Sequence, residues 1–140
     1  MTGTPGRTYC FSVRSGETVG NLSAWSPERC RAVPLDDRSL TASRGWVRRT
    51  EAGAFEGTAT RSSTPGATLR LTGASVTRLA LVVTTCPTCR LISTICTYSA
   101  TTRRQVVRLA SRITLTRGTV TLKVTQRRAV IVDGLIVTRR

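Results

Sequence analysis

The chain has no histidine, a single methionine, one lysine (Lys123) and only 4% aromatic residues in 140 positions. Each shortage excludes something. Serine and threonine abound, but without histidine there is no Ser-His-Asp triad. Nor is there an imidazole to complete a zinc site or to activate a thiol. With so few aromatics, any core must be aliphatic and thin. The seven carboxylates are scattered, and none pairs with another as a general acid and base. There is no Walker-type loop and no dinucleotide fingerprint. No stretch approaches the roughly twenty apolar residues that a membrane span needs. The opening MTGTPGRT has no apolar signal-peptide core. Neither an enzyme nor a cofactor is expected.

What is present is arginine and β-branched residues. The net charge is +15, and all but one of the 22 basic residues are arginine. A polyanion partner fits this balance: nucleic acid, acidic glycan or anionic wall polymer. So does an arginine-biased composition on the solvent faces of strands. The arginines form no block of five or six, which favours the second reading with some adhesion to anions, and disfavours nucleic acid. The last forty residues are the most one-sided, with nine arginines and Lys123 against Asp133 alone. Threonine, valine and isoleucine are stiff at the β-carbon and suit strands better than helices.

The best-patterned stretch is Gly66 to Cys89. Ala67, Leu69 and Leu71 alternate with Thr68, Arg70 and Thr72, the period of a half-buried strand. Gly73 is placed at a turn. Leu79 to Val83 is a continuous apolar run, as in a strand covered on both faces. Further strands are expected over Arg90 to Ala100 and Arg104 to Leu109, with a short helix over Gln105 to Arg112 as an alternative. Thr119 to Thr125 alternates cleanly, with Val120, Leu122 and Val124 facing the core. Trp46, Val47 and Phe55 are expected as core anchors, and Thr64 to Gly66 as a turn. Near the C-terminus, Asp133-Gly134 between two apolar runs reads locally as a two-residue hairpin. One closing strand with a bulge at Gly134 is the alternative.

At the other end, Tyr9 to Arg14 alternates, SGETVGN is turn-rich, and NLSAWS reads as a returning strand. The result is a β-hairpin with a long loop, marginal on its own. Pro34 and Asp36-Asp37 break periodicity, so residues 34–43 read as a linker. The aspartate pair is expected as a solvated turn rather than a cation site, because further oxygen ligands are not visible nearby.

The stretch TPGRTYCFSVRSGETVGNLSAWSPERC resembles the last two strands of a fibronectin type III domain, as found in secreted actinobacterial proteins. In those versions a cysteine pair staples the two strands, and the resemblance implies that Cys10 and Cys30 are that pair. From Gly45 onward the chain resembles the C-terminal β-sandwich that follows such modules. Phe55-Glu56-Gly57, Gly66-Ala67, Gly73 to Val76 and Val132 to Leu135 carry the match. It implies a jelly-roll, galactose-binding-like architecture, and it favours one long final strand over a hairpin. The strand and hairpin that usually follow the second cysteine pair of that pattern are missing here, since Cys89 runs almost directly into RLISTICTYSA.

Three readings compete for CPTC at Cys86 to Cys89. A thiol oxidoreductase needs its first cysteine at a helix N-terminus. The β-branched series after Cys89 makes a poor helix. Zinc needs four ligands, and only Cys96 is near. A local disulfide in an exported protein is favoured. Cys96 is then unpaired, at a buried or drifted strand position. Trp25 and Trp46 could stack on sugar rings, but each is better placed covering a core or a domain junction.

The expectation is therefore an all-β chain. Residues 1–33 form a partial fibronectin type III domain, residues 34–43 a linker, and residues 44–140 a small antiparallel β-sandwich. It would serve as a non-catalytic extracellular or cell-surface module, as the C-terminal part of a longer secreted protein. Its role would be adhesion, carbohydrate or anionic cell-wall polymer binding, or spacing. The alternatives are a basic nucleic-acid-binding protein and a thiol oxidoreductase using CPTC.

Overall fold

The computed structural model describes residues 3–85 and 103–138. Among them the regular structure is β, with two short 3-10 turns and no α-helix. The strands are β1 (Thr8–Phe11), β2 (Arg29–Ala32), β3 (Leu35–Asp36), β4 (Thr41–Ala42), β5 (Trp46–Thr50), β6 (Thr58–Ser62), β7 (Thr68–Val76), β8 (Arg78–Thr85), β9 (Arg103–Ala110), β10 (Leu115–Lys123) and β11 (Val130–Thr138). Every pairing is antiparallel. The larger sheet runs β5-β6-β11-β8-β9, with β3 also on β11; the smaller runs β10-β7-β4; β1 and β2 pair with each other.

One aliphatic core joins the two larger sheets. Leu69, Ala74 and Val76 of β7 and Leu122 of β10 meet Leu79, Leu81 and Val83 of β8 and Val130, Val132, Leu135 and Val137 of β11. This is how a sandwich closes. The expected alternation of Val120, Leu122 and Val124 holds, with Leu122 and Val124 buried and Val120 packed against the core. Of the apolar run Leu79 to Val83, Leu81 to Val83 are buried on both faces as its continuous apolar character predicts, while Ala80 is half-buried on the outer face. Thr64 to Gly66 turns as expected, closed by the Ala67 N–H donating to the Thr64 carbonyl at 3.2 Å. Residues 104–109 are strand, not helix. Arg90 to Ala100 lies outside the described residues.

Three strands keep their apolar residues inward by changing phase. From the residue before β7 to its end, the buried positions pass from Ala67 and Leu69 to Ala74 and Val76, from odd to even numbers. The extra residue lies at Gly73, where φ is +67° and no turn forms. Gly73 is thus a bulge within β7, and at Thr77 the chain bends out of the smaller sheet into the larger. The partner β10 carries a compensating irregularity at Arg117, whose φ is +49°. In β11 the register against β8 shifts between Val132 and Gly134. Asp133-Gly134 is therefore a bulge in one long strand, not a hairpin turn. The bulge lets Val130 and Val132 before it, and Leu135 and Val137 after it, all point into the core. A β-carbon at Gly134 would stand 2.5 Å from the Leu35 carbonyl oxygen, so only glycine lets β3 lie this close.

Several expectations are corrected. Val47 is largely exposed, not a core anchor, because it alternates with Trp46, which packs on the core. Phe55 is half-buried in a 3-10 turn. NLSAWS is not a ladder strand. β1 pairs with β2 in a register that sets Cys10 opposite Cys30. Residues between them fold back on themselves through a Gly16–Leu22 bridge and the Ser23–Ser15 and Ser26–Val13 backbone bonds. Residues 34–43, expected as a linker, supply β3 to the larger sheet and β4 to the smaller, and bury Leu40 in the core.

Candidate anion-binding groove

The charged residues divide into those that hold the fold and those that do not. Asp37 lies in the 3-10 turn that carries the chain from β3 in one sheet to β4 in the other. It is fully buried rather than solvated. The Thr58 hydroxyl donates to its Oδ1 at 2.6 Å, while the Thr60 hydroxyl and the Arg48 Nε (3.0 Å) donate to its Oδ2. Arg48 also reaches the Asp37 carbonyl at 3.3 Å. Register sets Arg48 and Thr60 on the face of Val132 and Val83, so the carboxylate docks against the inner side of the larger sheet. Asp36 is buried as well. It accepts from the Arg38 backbone N–H at 3.1 Å and pairs with the Arg38 guanidinium.

Asp133 is the residue extruded by the bulge in β11. Its Oδ1 accepts from the Phe55 N–H at 2.8 Å, and its Oδ2 pairs with the Arg104 guanidinium of β9. It thereby ties the β5–β6 loop to the sheet. Burial pushes its carboxyl above the ordinary value of 3.8, opposed by the Phe55 N–H and Arg104 and assisted by the negative charges of Glu51 and Asp37. The folded state therefore holds this proton more firmly than the unfolded chain does. The stability Asp133 contributes falls as pH rises through the window just above 3.8. Asp133→Asn keeps an acceptor for Phe55 and removes the charge. In urea titrations across the acid range, the stability difference, variant minus wild type, is expected to rise with pH in that window and then level off. A flat or falling difference would show that burial is not the dominant influence.

Among the described residues, Arg38, Arg48 and Arg104 are the arginines with carboxylate partners. The other arginines whose side chains are described are exposed. Arg70 and Lys123 sit on the outer face of the smaller sheet, and Arg49, Arg61 and Arg108 on that of the larger. At one place arginines from three elements meet. Arg31 of β2, Arg78 of β8 and Arg108 of β9 surround a groove of about 450 Å³. Its floor is apolar, made by Ala80, Val106 and Ile136 on the outer face of β8, β9 and β11; Ala80 lies between Ile136 and Arg108 in register, and Val106 is one pair further along, opposite Val82. Among the described residues, no carboxylate and no aromatic ring lines it. The geometry follows from chain order. β2 leads within two residues into β3, which pairs with β11, so β2 is carried alongside the second half of β11.

The residues singled out from sequence fare differently. Cys10 and Cys30 form a disulfide across β1 and β2. Glu28 gathers beside them, but both sulfurs are bonded to each other and offer no thiolate to a metal. Cys86, Cys89 and Cys96 lie outside the described residues, so the readings of CPTC rest on sequence alone. Trp25 is exposed, with the Arg14 guanidinium 4.6 Å above its ring, and Trp46 is packed on the core. The two tryptophans do not form a common site. Sequence reasoning missed the groove arginines. Their signal was the Arg104-x-Val106-x-Arg108 alternation on β9, which marks one exposed face but not what lies opposite it.

The fold defines an all-β protein of antiparallel sheets. Compared with known proteins, the chain matches no protein-family model, no curated protein and no solved structure.

Proposed function

We propose that this is a non-catalytic extracellular or cell-surface module that adheres to an anionic polysaccharide or wall polymer. The observation that carries this reading is the surplus of arginine without carboxylate partners, at a net charge of +15. The three buried aspartates all hold arginines, hydroxyls or backbone N–H groups of the fold, which argues against their use as catalytic acids or bases. The extracellular setting is supported by the Cys10–Cys30 disulfide and by the fibronectin-like pattern of the first thirty residues. The remainder is read as a jelly-roll, galactose-binding-like sandwich, with spacing as its minimal role. Nucleic acid is disfavoured because arginines lie on both sheets rather than in one stripe.

The test is retention on insoluble polysaccharides. The protein is expected to be held by an acidic polymer at low salt, to be released as salt rises, and to pass through a neutral polymer of the same backbone. Equal retention on both, or on neither, would reject the reading.

A further inference from the structure

We propose that the groove between β2 and the outer face of β9-β8-β11 is a binding site for the oxyanions of an anionic carbohydrate chain, carboxylate or phosphodiester. This rests on the anionic-polymer reading above and assigns it a location. Two observations and the chemistry of arginine carry it. Arg31, Arg78 and Arg108 converge on one groove from three separate elements. None of the three has a carboxylate partner among the described residues. Arg31 gives one N–H to the Cys30 carbonyl at 3.3 Å; guanidinium forks match carboxylate and phosphate oxygens in pairs of parallel hydrogen bonds, so guanidinium groups without a carboxylate beside one cavity form a ready anion receptor.

The floor argues for what carries the anion. Val106 is 62% exposed and lines the groove with Ala80 and Ile136. An apolar strip between cations suits the C–H faces of a sugar or polyol chain whose charges reach the rim. The groove volume of about 450 Å³ falls within the range of small-ligand sites, roughly 300–1,000 Å³. A single-stranded nucleic acid would call for aromatic side chains on which bases stack, and none lines the groove among the described residues.

The experiment is calorimetric titration of the full chain with four oligomers of matched length: an oligouronate, an oligo(glycerol phosphate), a neutral oligosaccharide and oligothymidylate. Wild type is compared with R78A/R108A and with R70A/K123A, which removes the same charge from the smaller sheet. The acidic oligomer that binds more tightly identifies the source of the oxyanion. R78A/R108A is expected to weaken it about tenfold or more, as the loss of charge-assisted hydrogen bonds implies. R70A/K123A should change it by less than about threefold, as the loss of screened surface charge implies. Equal weakening by both variants, with polymer retention intact, would overturn the groove and leave the proposed function standing. Failure of wild type to bind either acidic oligomer while the polymer is retained would do the same. Loss of retention as well would overturn both. Tighter binding of oligothymidylate would overturn the assignment in favour of nucleic acid. Should R78A/R108A lower the urea midpoint, R31Q removes one groove cation from a different element and is expected to weaken binding in the same direction.

Discussion

Asp37→Ala is expected to destabilise the protein by about 2–4 kcal/mol, because it leaves the buried Thr60 hydroxyl and the partly buried Thr58 hydroxyl without their acceptor. The carboxylate is fully buried and receives the hydroxyls of Thr58 and Thr60 as well as the Arg48 Nε. Arg48 is partly exposed and can turn toward water, which keeps the loss below that of a wholly buried pair. The turn carrying Asp37 also passes the chain from one sheet to the other, so its release loosens both β3 and β4. The urea midpoint should fall with the slope unchanged. Asp37→Asn keeps one acceptor oxygen but turns an amide donor toward groups that also donate, and should lose less. A loss below about 1 kcal/mol in the alanine variant would mean that the turn is held by backbone pairing alone.

Leu135→Ala is expected to cost about 3–5 kcal/mol, toward the upper end for truncating a leucine in a core. Leu135 has no exposed surface and lies in register between Leu35 on β3 and Leu81 on β8. Its neighbours Val83, Val132 and Val137 are β-branched, with one preferred rotamer each, and can do little to fill the cavity. The thin aliphatic core has few large side chains to redistribute. Thermal unfolding followed by far-ultraviolet dichroism measures the loss. A shift no larger than that of an exposed substitution such as Val106→Ala would place the centre of the core elsewhere.

Where the chain's own alternation decides a strand, the sequence was enough. Val120, Leu122 and Val124 read correctly because a period of two needs no partner to be recognised. The β8 run did so because burial on both faces removes the polar positions. Bulges were harder. A glycine after an alternating run fits a turn or a phase shift equally well, and only the partner strand distinguishes them. That is why Gly73 reads as a turn from sequence and lies within β7. At Asp133-Gly134 the apolar runs on either side suit both geometries, and pairing with β3, β6 and β8 at once makes β11 a single strand.

The Asp36-Asp37 pair misled for a related reason. Two adjacent carboxylates beside a proline look solvated, and the groups that bury Asp37 stand 21 and 23 positions away on β6. The groove was illegible because Arg31, Arg78 and Arg108 are brought together by the placement of β2 beside β11. No local pattern in any of the three strands encodes that placement.

The most direct test is the site of contact. Backbone amide shifts of the isotope-labelled protein should be followed while the tighter-binding acidic oligomer is added. The expected result is a set of perturbations concentrated at Arg31, Arg78, Ala80, Val106, Arg108 and Ile136, with the outer face of β7 and β10 unmoved. Perturbations spread evenly over both sheets, or confined to Arg70 and Lys123, would contradict it.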